Sequence, residues 1–431
     1  MKRSTTTIRL AAVAAASALV LAACGGSSSD SEGGSDDATA AAPAAKGDGT
    51  LTIGSLLPQT GSRAFLGPPE FAGVDLAIKD INAAGGVLGK DVVGVKADSG
   101  DTDSGIAPAE TDKLLKAKSD VIIGAASSGV SKTVVDKIMS AGVIEYSPAN
   151  TSTDFDNGDF SKPDLYFRTA PSDILQGAVL ANLLVEDGRQ NVAILARQDA
   201  YGETLAKEIS KNLEAAGSTV AANVLYSEKT GPGDSQITEI ADSKPDAIVL
   251  VAFEETTTIV PKLIQAGAGP QDVPTYFVDG NTANYGEGDA ATLPDGTLKG
   301  TKGTIPGAEA TSDFKERLAT VNPDLKDYSY SAESYDAVIT SALAAIVADS
   351  DAGEAIAKEL PGVTEGGEKC DSFEKCAALL KDDPKTDIDY DGVSGPIELG
   401  KTGSPTAASI GIYEYDGKNK ISPVKYIAGN I

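Results

Sequence analysis

Leu51-Thr52-Ile53-Gly54-Ser55-Leu56-Leu57 is a short, almost continuous apolar run, and a stretch of different period follows it. A run of this length without polar alternation reads as a strand buried on both faces. Across residues 68–84, Phe71, Val74, Ile78 and Ile81 recur at helical spacing, and Gly85-Gly86 supplies the stop. Residues 92–97 return to strand. Strand, helix, strand is the βαβ unit, which calls for a parallel sheet covered by helices on both faces.

The alternation continues outward. Residues 106–117 and 130–140 read as helices, and 121–124 and 143–146 as strands. A second series follows, with helices over 174–186, 204–216, 237–241 and 257–266. Its strands fall at 192–196, 220–226, 247–252 and 275–278. Residues 328–348 read as one long helix or two, with Tyr335, Val338, Ile339, Ala342 and Ile346 at helical spacing, and 408–415 and 424–427 as extended tail segments. Two such series predict an α/β fold of two doubly wound, parallel-sheet lobes. Ligands of open parallel sheets sit at the carboxyl ends of the strands, which places a site in the cleft between the lobes.

Upstream of Leu51 the chain changes character. Lys2, Arg3 and Arg9 precede a small, apolar segment that ends in Leu21-Ala22-Ala23-Cys24. The segment is too short to span a bilayer and reads as a signal peptide, residues 1–23. Its end resembles the lipobox of bacterial lipoproteins, which implies lipidation of Cys24. That predicts anchoring to the outer face of the bacterial cytoplasmic membrane. Gly, Ser, Ala and Asp dominate residues 24–49, so a flexible tether is expected. Cys370 and Cys376 remain, and outside the cytoplasm such a pair oxidises. Six residues along one helix would separate their Cα atoms by about 9 Å, beyond disulfide reach. A bond therefore needs Cys370 in a loop and Cys376 in the helix after it.

Composition narrows the function classes. The 431 residues contain no histidine, which excludes every imidazole-based mechanism and removes the commonest transition-metal ligand. Thirty-six Lys and Arg against 63 Asp and Glu give a net charge of −27, so a polyanion is repelled and nucleic acid is not an expected partner. No cofactor or metal is expected.

Several motifs resemble one family. Gly61, Phe71-Ala72-Gly73 and the run from Asp80 to Gly89 are similar to the opening of type I periplasmic binding proteins of the branched-chain amino-acid type, which feed ABC importers. Ser147-Pro148-Ala149-Asn150-Thr151, Tyr166-Phe167-Arg168-Thr169, Asp199-Ala200-Tyr201-Gly202 and Tyr335-Asp336-Ala337 fit the same group. The resemblance runs from about residue 51 to about 416. It implies three crossings between lobes, a three-strand hinge, near Thr169, Thr304 and Gly392. Lobe one would hold 50–169 and 305–391, and lobe two 170–304 and 392–431. It further implies an amino-acid ligand, permease and ATPase partners of an ABC importer, a monomer, and no bond chemistry.

An amino-acid zwitterion needs an anion site and a cation site. Ala125-Ala126-Ser127-Ser128-Gly129 leads from a strand into a helix start, where free amides and hydroxyls cradle a carboxylate. The resemblance places carboxylate contacts at Ser128, the Ala149 backbone and Thr151, although Ser128 also reads as a plain helix cap. For the ammonium it points to Asp279, which otherwise reads as a turn aspartate before Gly280. Tyr201 and Phe253 match aromatic wall positions, Phe253 reading almost as well as core. Leu66, Phe65 and Tyr335 are expected to build an apolar side-chain pocket. Arg63 either meets an acidic ligand or is simply solvated, the safer reading.

An enzyme is the main rival class. The Ala125–Gly129 segment loosely resembles a nucleophile elbow, but the first glycine is absent and no histidine exists to activate a serine. Other ligands on the same fold (urea, a short amide, an aromatic acid, a sugar) and a ligand-sensing subunit are the remaining alternatives.

Overall fold

The computed structural model describes residues 47–156, 163–289 and 291–431. The signal peptide, Cys24 and nearly all of the tether lie outside the described residues.

The opening apolar run is β1 (Thr52–Leu57), buried at every position. It is followed by α1 (Gly67–Ala83), β2 (Val93–Asp98), α2 (Ala107–Lys116), β3 (Val121–Gly124), α3 (Ser128–Ser140), β4 (Ile144–Ser147) and β5 (Tyr166–Arg168). These strands form one five-stranded sheet in the order β2-β1-β3-β4-β5, parallel throughout. Successive strand residues point to opposite faces, so Ile53, Leu57, Val121 and Ile123 enter one core while Leu56 and Ile122 enter the other. The second of these cores is closed by α2 and α3.

The next series is α4 (Asp173–Glu186), β6 (Asn191–Arg197), α5 (Ala200–Ala215), β7 (Thr219–Tyr226), α6 (Asp234–Asp242), β8 (Ala247–Val251), α7 (Thr256–Gln265), β9 (Thr275–Phe277) and β10 (Lys302–Pro306). It builds a second sheet by the same period-two rule. Val192, Ile194, Val249 and Val251 pack under α4 and α5, and Ala193, Leu195, Ile248 and Leu250 under α6 and α7.

The chain then returns to the first lobe with α8 (Ser312–Ala319), α9 (Ser331–Val347), α10 (Gly353–Glu359), β11 (Glu368–Cys370), α11 (Phe373–Asp382), β12 (Ile388–Gly392) and β13 (Gly395–Pro396). The long helical segment is thus a single helix, α9, buried along nearly all its length between α1 and the sheet. Close approach of α1 requires Gly73, where a Cβ would meet the Ser331 carbonyl oxygen at 2.2 Å. Cys370 and Cys376 are bonded, with Cα atoms 5.4 Å apart. Cys376 is helical as expected, but Cys370 ends the short strand β11 rather than lying in a loop, because β11 pairs with β12.

The tail strands β14 (Ala407–Tyr415) and β15 (Ile421–Asn430) form an antiparallel hairpin on the second sheet, whose order is β15-β14-β10-β9-β8-β6-β7. Its core strands β6 to β10 are parallel. The fold is therefore two α/β lobes whose strand ends face a common cleft, with three chain passages between them. No helix among the described residues is long and apolar enough to cross a membrane.

Candidate functional site

The first-lobe wall begins where β3 ends. Gly124 has φ +121°, and a Cβ there would meet the Leu56 carbonyl oxygen at 2.1 Å, so only glycine turns the chain here. The segment 125–127 is then pinned from β4. Ser147 Oγ donates to the Ala125 carbonyl at 2.7 Å, and Asn150 Nδ2 donates to the Ala125 and Ala126 carbonyls at 3.0 and 3.1 Å. This delivers the start of α3 to the cleft. The Ser127 side chain makes no capping bond, and the first intrahelical bond is Ser131 N–H to Ser127 O at 2.9 Å. The amides of Ser128, Gly129 and Val130 precede it, the group of donors that binds anions at helix starts.

Thr151 sits beside this helix start, fully buried, with its hydroxyl turned to the Asp173 carboxyl and its carbonyl accepting from Asp173 N–H at 2.7 Å. Ser128 is buried and its Oγ accepts from Ser152 N–H at 3.4 Å. Ala149 is present in the wall, but its amide is spent on Ser147 Oγ at 3.3 Å. Leu66, Ala126, Ala149, Ala170 and Tyr330 form a small apolar cluster, with Phe65 packed against it.

The second-lobe wall is made of side chains. Asp279 follows β9 through Val278, whose amide donates to Asn281 Oδ1 at 2.9 Å and holds the turn. The Asp279 carboxylate accepts from Tyr201 OH at 2.5 Å, Gln176 Nε2 at 3.1 Å and Tyr330 OH at 2.8 Å. Tyr201 lies in the first turn of α5, capped by Asp199, which accepts from Gly202 N–H at 2.8 Å. Tyr201 stacks on Phe253 with ring centres 5.3 Å apart. Burial, reinforced by the Asp279 charge, pushes the phenols of Tyr201 and Tyr330 well above their usual range, so both stay protonated donors.

Two further polar groups line this wall from the first turns of α4. Gln176 is buried and its Oε1 has no partner, while the buried Asp173 carboxyl accepts from the Thr151 and Thr204 hydroxyls. Burial first, then the Asp279 charge, pushes the Asp173 carboxyl well above the ordinary range, so it stands neutral.

The walls meet. Tyr330, at the start of first-lobe α9, reaches Asp279, and Ser152 Oγ lies 3.1 Å from Thr204 Oγ1 of α5. The Arg63 guanidinium carbon is 3.7 Å from the centre of the Phe253 ring.

The structure thus brings Ser128, Ala149, Thr151, Tyr201, Phe253, Asp279 and Leu66 around one cleft. Tyr335 is not brought there. It faces inward from α9, its hydroxyl donating to Asp80 at 2.9 Å and accepting from Arg317 at 2.8 Å, with Phe314 against its ring. Tyr330, one and a half turns earlier, takes its place. Arg63 is corrected too: it is 2% exposed, not solvated, because the second lobe covers it. Sequence reading passed over Gln176, Asp173 and Tyr330. The polar first turn after Ser172, in an otherwise apolar helix, is the signal that pointed to the first two.

Two lobes that place opposed polar walls across one cleft define the two-lobed solute-binding class. The chain belongs to the periplasmic binding protein family, which matches residues 50–373. It is 25% identical to the chemotactic signal transduction system substrate-binding protein BasB of Halobacterium salinarum, over 81% of this chain and 83% of that one. It is 29% identical to the leucine-, isoleucine-, valine-, threonine- and alanine-binding protein of Pseudomonas aeruginosa, over 57% of this chain and 66% of that one. In fold it matches the branched-chain amino-acid transporter substrate-binding protein LivJ of Streptococcus pneumoniae, solved with isoleucine. There the TM-score is 0.68 at 19% identity, covering 89% of this chain and all of that one.

Proposed function

We propose that the chain is an extracytoplasmic, lipid-anchored solute-binding protein that captures an amino acid in its interlobe cleft and presents it to an ABC importer. The later crossings fall a little beyond the expected Thr304 and Gly392, since β10 pairs within the second sheet and β13 with β12, so lobe one takes 50–169 with 307–396 and lobe two 170–306 with 407–431. One observation carries the reading. Complementary polar groups are divided between the walls, the free amides of a helix start on one side and, around Asp279 on the other, the buried Gln176 Oε1, which has no partner. Leaving such groups unpaired costs about 1–3 kcal/mol each, which a dipolar solute recovers. Its carboxylate fits the α3 start with Thr151 at its edge, and its ammonium fits Asp279 and Gln176 Oε1.

Since the two poles belong to different lobes, the solute favours the closed state by contacts available only there. The closed shape is what a permease recognises. The apolar cluster around Leu66 and the Pseudomonas relative's name support a branched-chain or other apolar side chain. No catalytic step is assigned to these residues.

Calorimetric titration with leucine, isoleucine, valine, urea and benzoate tests this, alongside mass spectrometry of solute retained through native purification. The amino acids are expected to bind. Binding of urea with none of the amino acids would overturn the reading.

A further inference from the structure

Arg63 is left unexplained by two poles. It follows β1 and enters the cleft almost fully buried. Its Nη1 donates to the Ala126 carbonyl at 3.2 Å, and its Nε has no partner. The guanidinium makes no ion pair among the described residues, whereas Arg197 nearby pairs with Asp199, Glu228 and Glu255 and Arg168 with Asp156. A buried charge with one neutral acceptor is costly, and natural proteins pair such charges.

The candidate counter-ions around it are unsuitable. Asp279 already accepts from two tyrosines and a glutamine. Glu70 is 0% exposed, and burial pushes its carboxyl well above the ordinary range against the pull of Arg63, which leaves it neutral. The bond to Ala126 fixes the guanidinium immediately before Ser127 and the α3 start, on the donor side of the cleft. Its flat face lies against Phe253, with the Tyr201 ring centre 5.1 Å from Cζ, so the second lobe shields it from water. A shielded guanidinium with a free N–H beside a helix start is built for an oxyanion.

We propose that Arg63 is the anion-binding residue of the cleft and pairs directly with a carboxylate of the bound solute. The claim rests on the solute-capture reading and deepens it. That carboxylate has two sources: the sole carboxylate of an apolar or aromatic solute, or the side-chain carboxylate of an acidic amino acid. In either case the site discriminates against neutral amides.

The test is calorimetry on the full mature chain with leucine, glutamate, benzoate and the neutral analogue leucinamide, in wild type, Arg63→Met and Arg63→Lys. Circular dichroism melts check that each variant folds. The acid whose carboxylate meets Arg63 should weaken 30-fold or more in Arg63→Met and be restored to within about tenfold of wild type in Arg63→Lys. Any leucinamide binding should change less than threefold, a charge-selective split that a merely structural role would not give. A loss confined to glutamate identifies a side-chain carboxylate, and a loss seen with leucine or benzoate identifies a sole carboxylate. Binding by Arg63→Met within twofold of wild type for every acid that the wild type binds would overturn the role of Arg63 alone. Failure of the wild type to bind any of the four solutes would remove solute capture, and this proposal with it.

Discussion

The two walls of the cleft are built on different plans. The first-lobe wall draws its donors from backbone geometry: a glycine turn after β3, a segment pinned by Ser147 and Asn150, and the uncapped start of α3. These groups stay in place whether or not the lobes meet. The second-lobe wall gathers side chains from α4, α5 and the β9 turn around one carboxylate, and the first-lobe Tyr330 completes it. The donor wall is therefore preformed, while the acceptor wall is complete only on closure. A solute should dock on the first lobe and then recruit the second.

The largest effect tests the acceptor wall. Asp279→Ala should weaken amino-acid binding about 100-fold or more, since truncating one partner of a buried charge pair costs roughly 2–5 kcal/mol. The fold should survive, because Tyr201, Tyr330 and Gln176 reach the carboxylate from elements already packed in their own cores. An unchanged dissociation constant by calorimetry would move the cation pole elsewhere and erase the contrast between the walls.

The donor wall rests on a buried acid of its own. Glu145 in β4 is 0% exposed, and burial, only partly offset by hydrogen bonds from Ser131 and the Ala125 backbone, pushes its carboxyl up to about 8. The folded state thus holds the proton more tightly than the unfolded chain, whose glutamate titrates near 4.5. The resulting stability is fully present below the unfolded value and is lost as pH rises towards about 8. Glu145→Gln cannot ionise, so its stability should gain on wild type between pH 5 and pH 9, by on the order of 2–4 kcal/mol. Urea melts at pH 5, 7 and 9 would show this, and a difference that stays flat with pH would contradict a neutral acid under the donor wall.

Thr151→Val is the sharper probe of the same wall, as it keeps the shape and removes one hydroxyl. Carboxylate solutes should bind about 5- to 20-fold more weakly, on the order of 1–2 kcal/mol for one hydrogen bond, with Thr151→Ser close to wild type. Equal loss in both variants would assign Thr151 to packing.

The contrast also explains what could be read from sequence. Strand runs such as residues 51–57 and the glycine-terminated α1 are local patterns, and the parallel lobes follow from them. The donor wall follows too, because a strand running into Ser127-Ser128-Gly129 is a local signature. The acceptor wall was only half legible. Tyr330 contacts Asp279 from 51 residues away, and it sits at φ 57° at the N-cap of α9, a conformation no local pattern announces. Gln176 and Asp173 look like ordinary helix residues until α4 is known to begin at a chain crossing. Arg63 reads as solvated because the element that buries it, around Phe253, belongs to the other lobe. The strand β10, Lys-Gly-Thr-Ile-Pro, carries a glycine and a proline and lacks the run that marked its neighbours.

The smallest expected effect concerns the residue the two kinds of reading place differently. Tyr335 occurs in a Tyr-Asp-Ala motif similar to the family's, yet its side chain points into the first lobe, bonded to Asp80 and Arg317. Tyr335→Phe keeps the ring against Phe314 and deletes only those bonds. Stability should fall by about 1 kcal/mol, seen as an earlier urea midpoint with unchanged slope, while the dissociation constant for amino acids stays within twofold of wild type. Phenylalanine at Tyr330, by contrast, removes a donor to Asp279 and should weaken binding without moving the urea midpoint of the first lobe. If Tyr335→Phe instead weakened binding tenfold at constant stability, α9 would have to present a different face to the cleft, and the closed acceptor wall described here would need to be rebuilt around it.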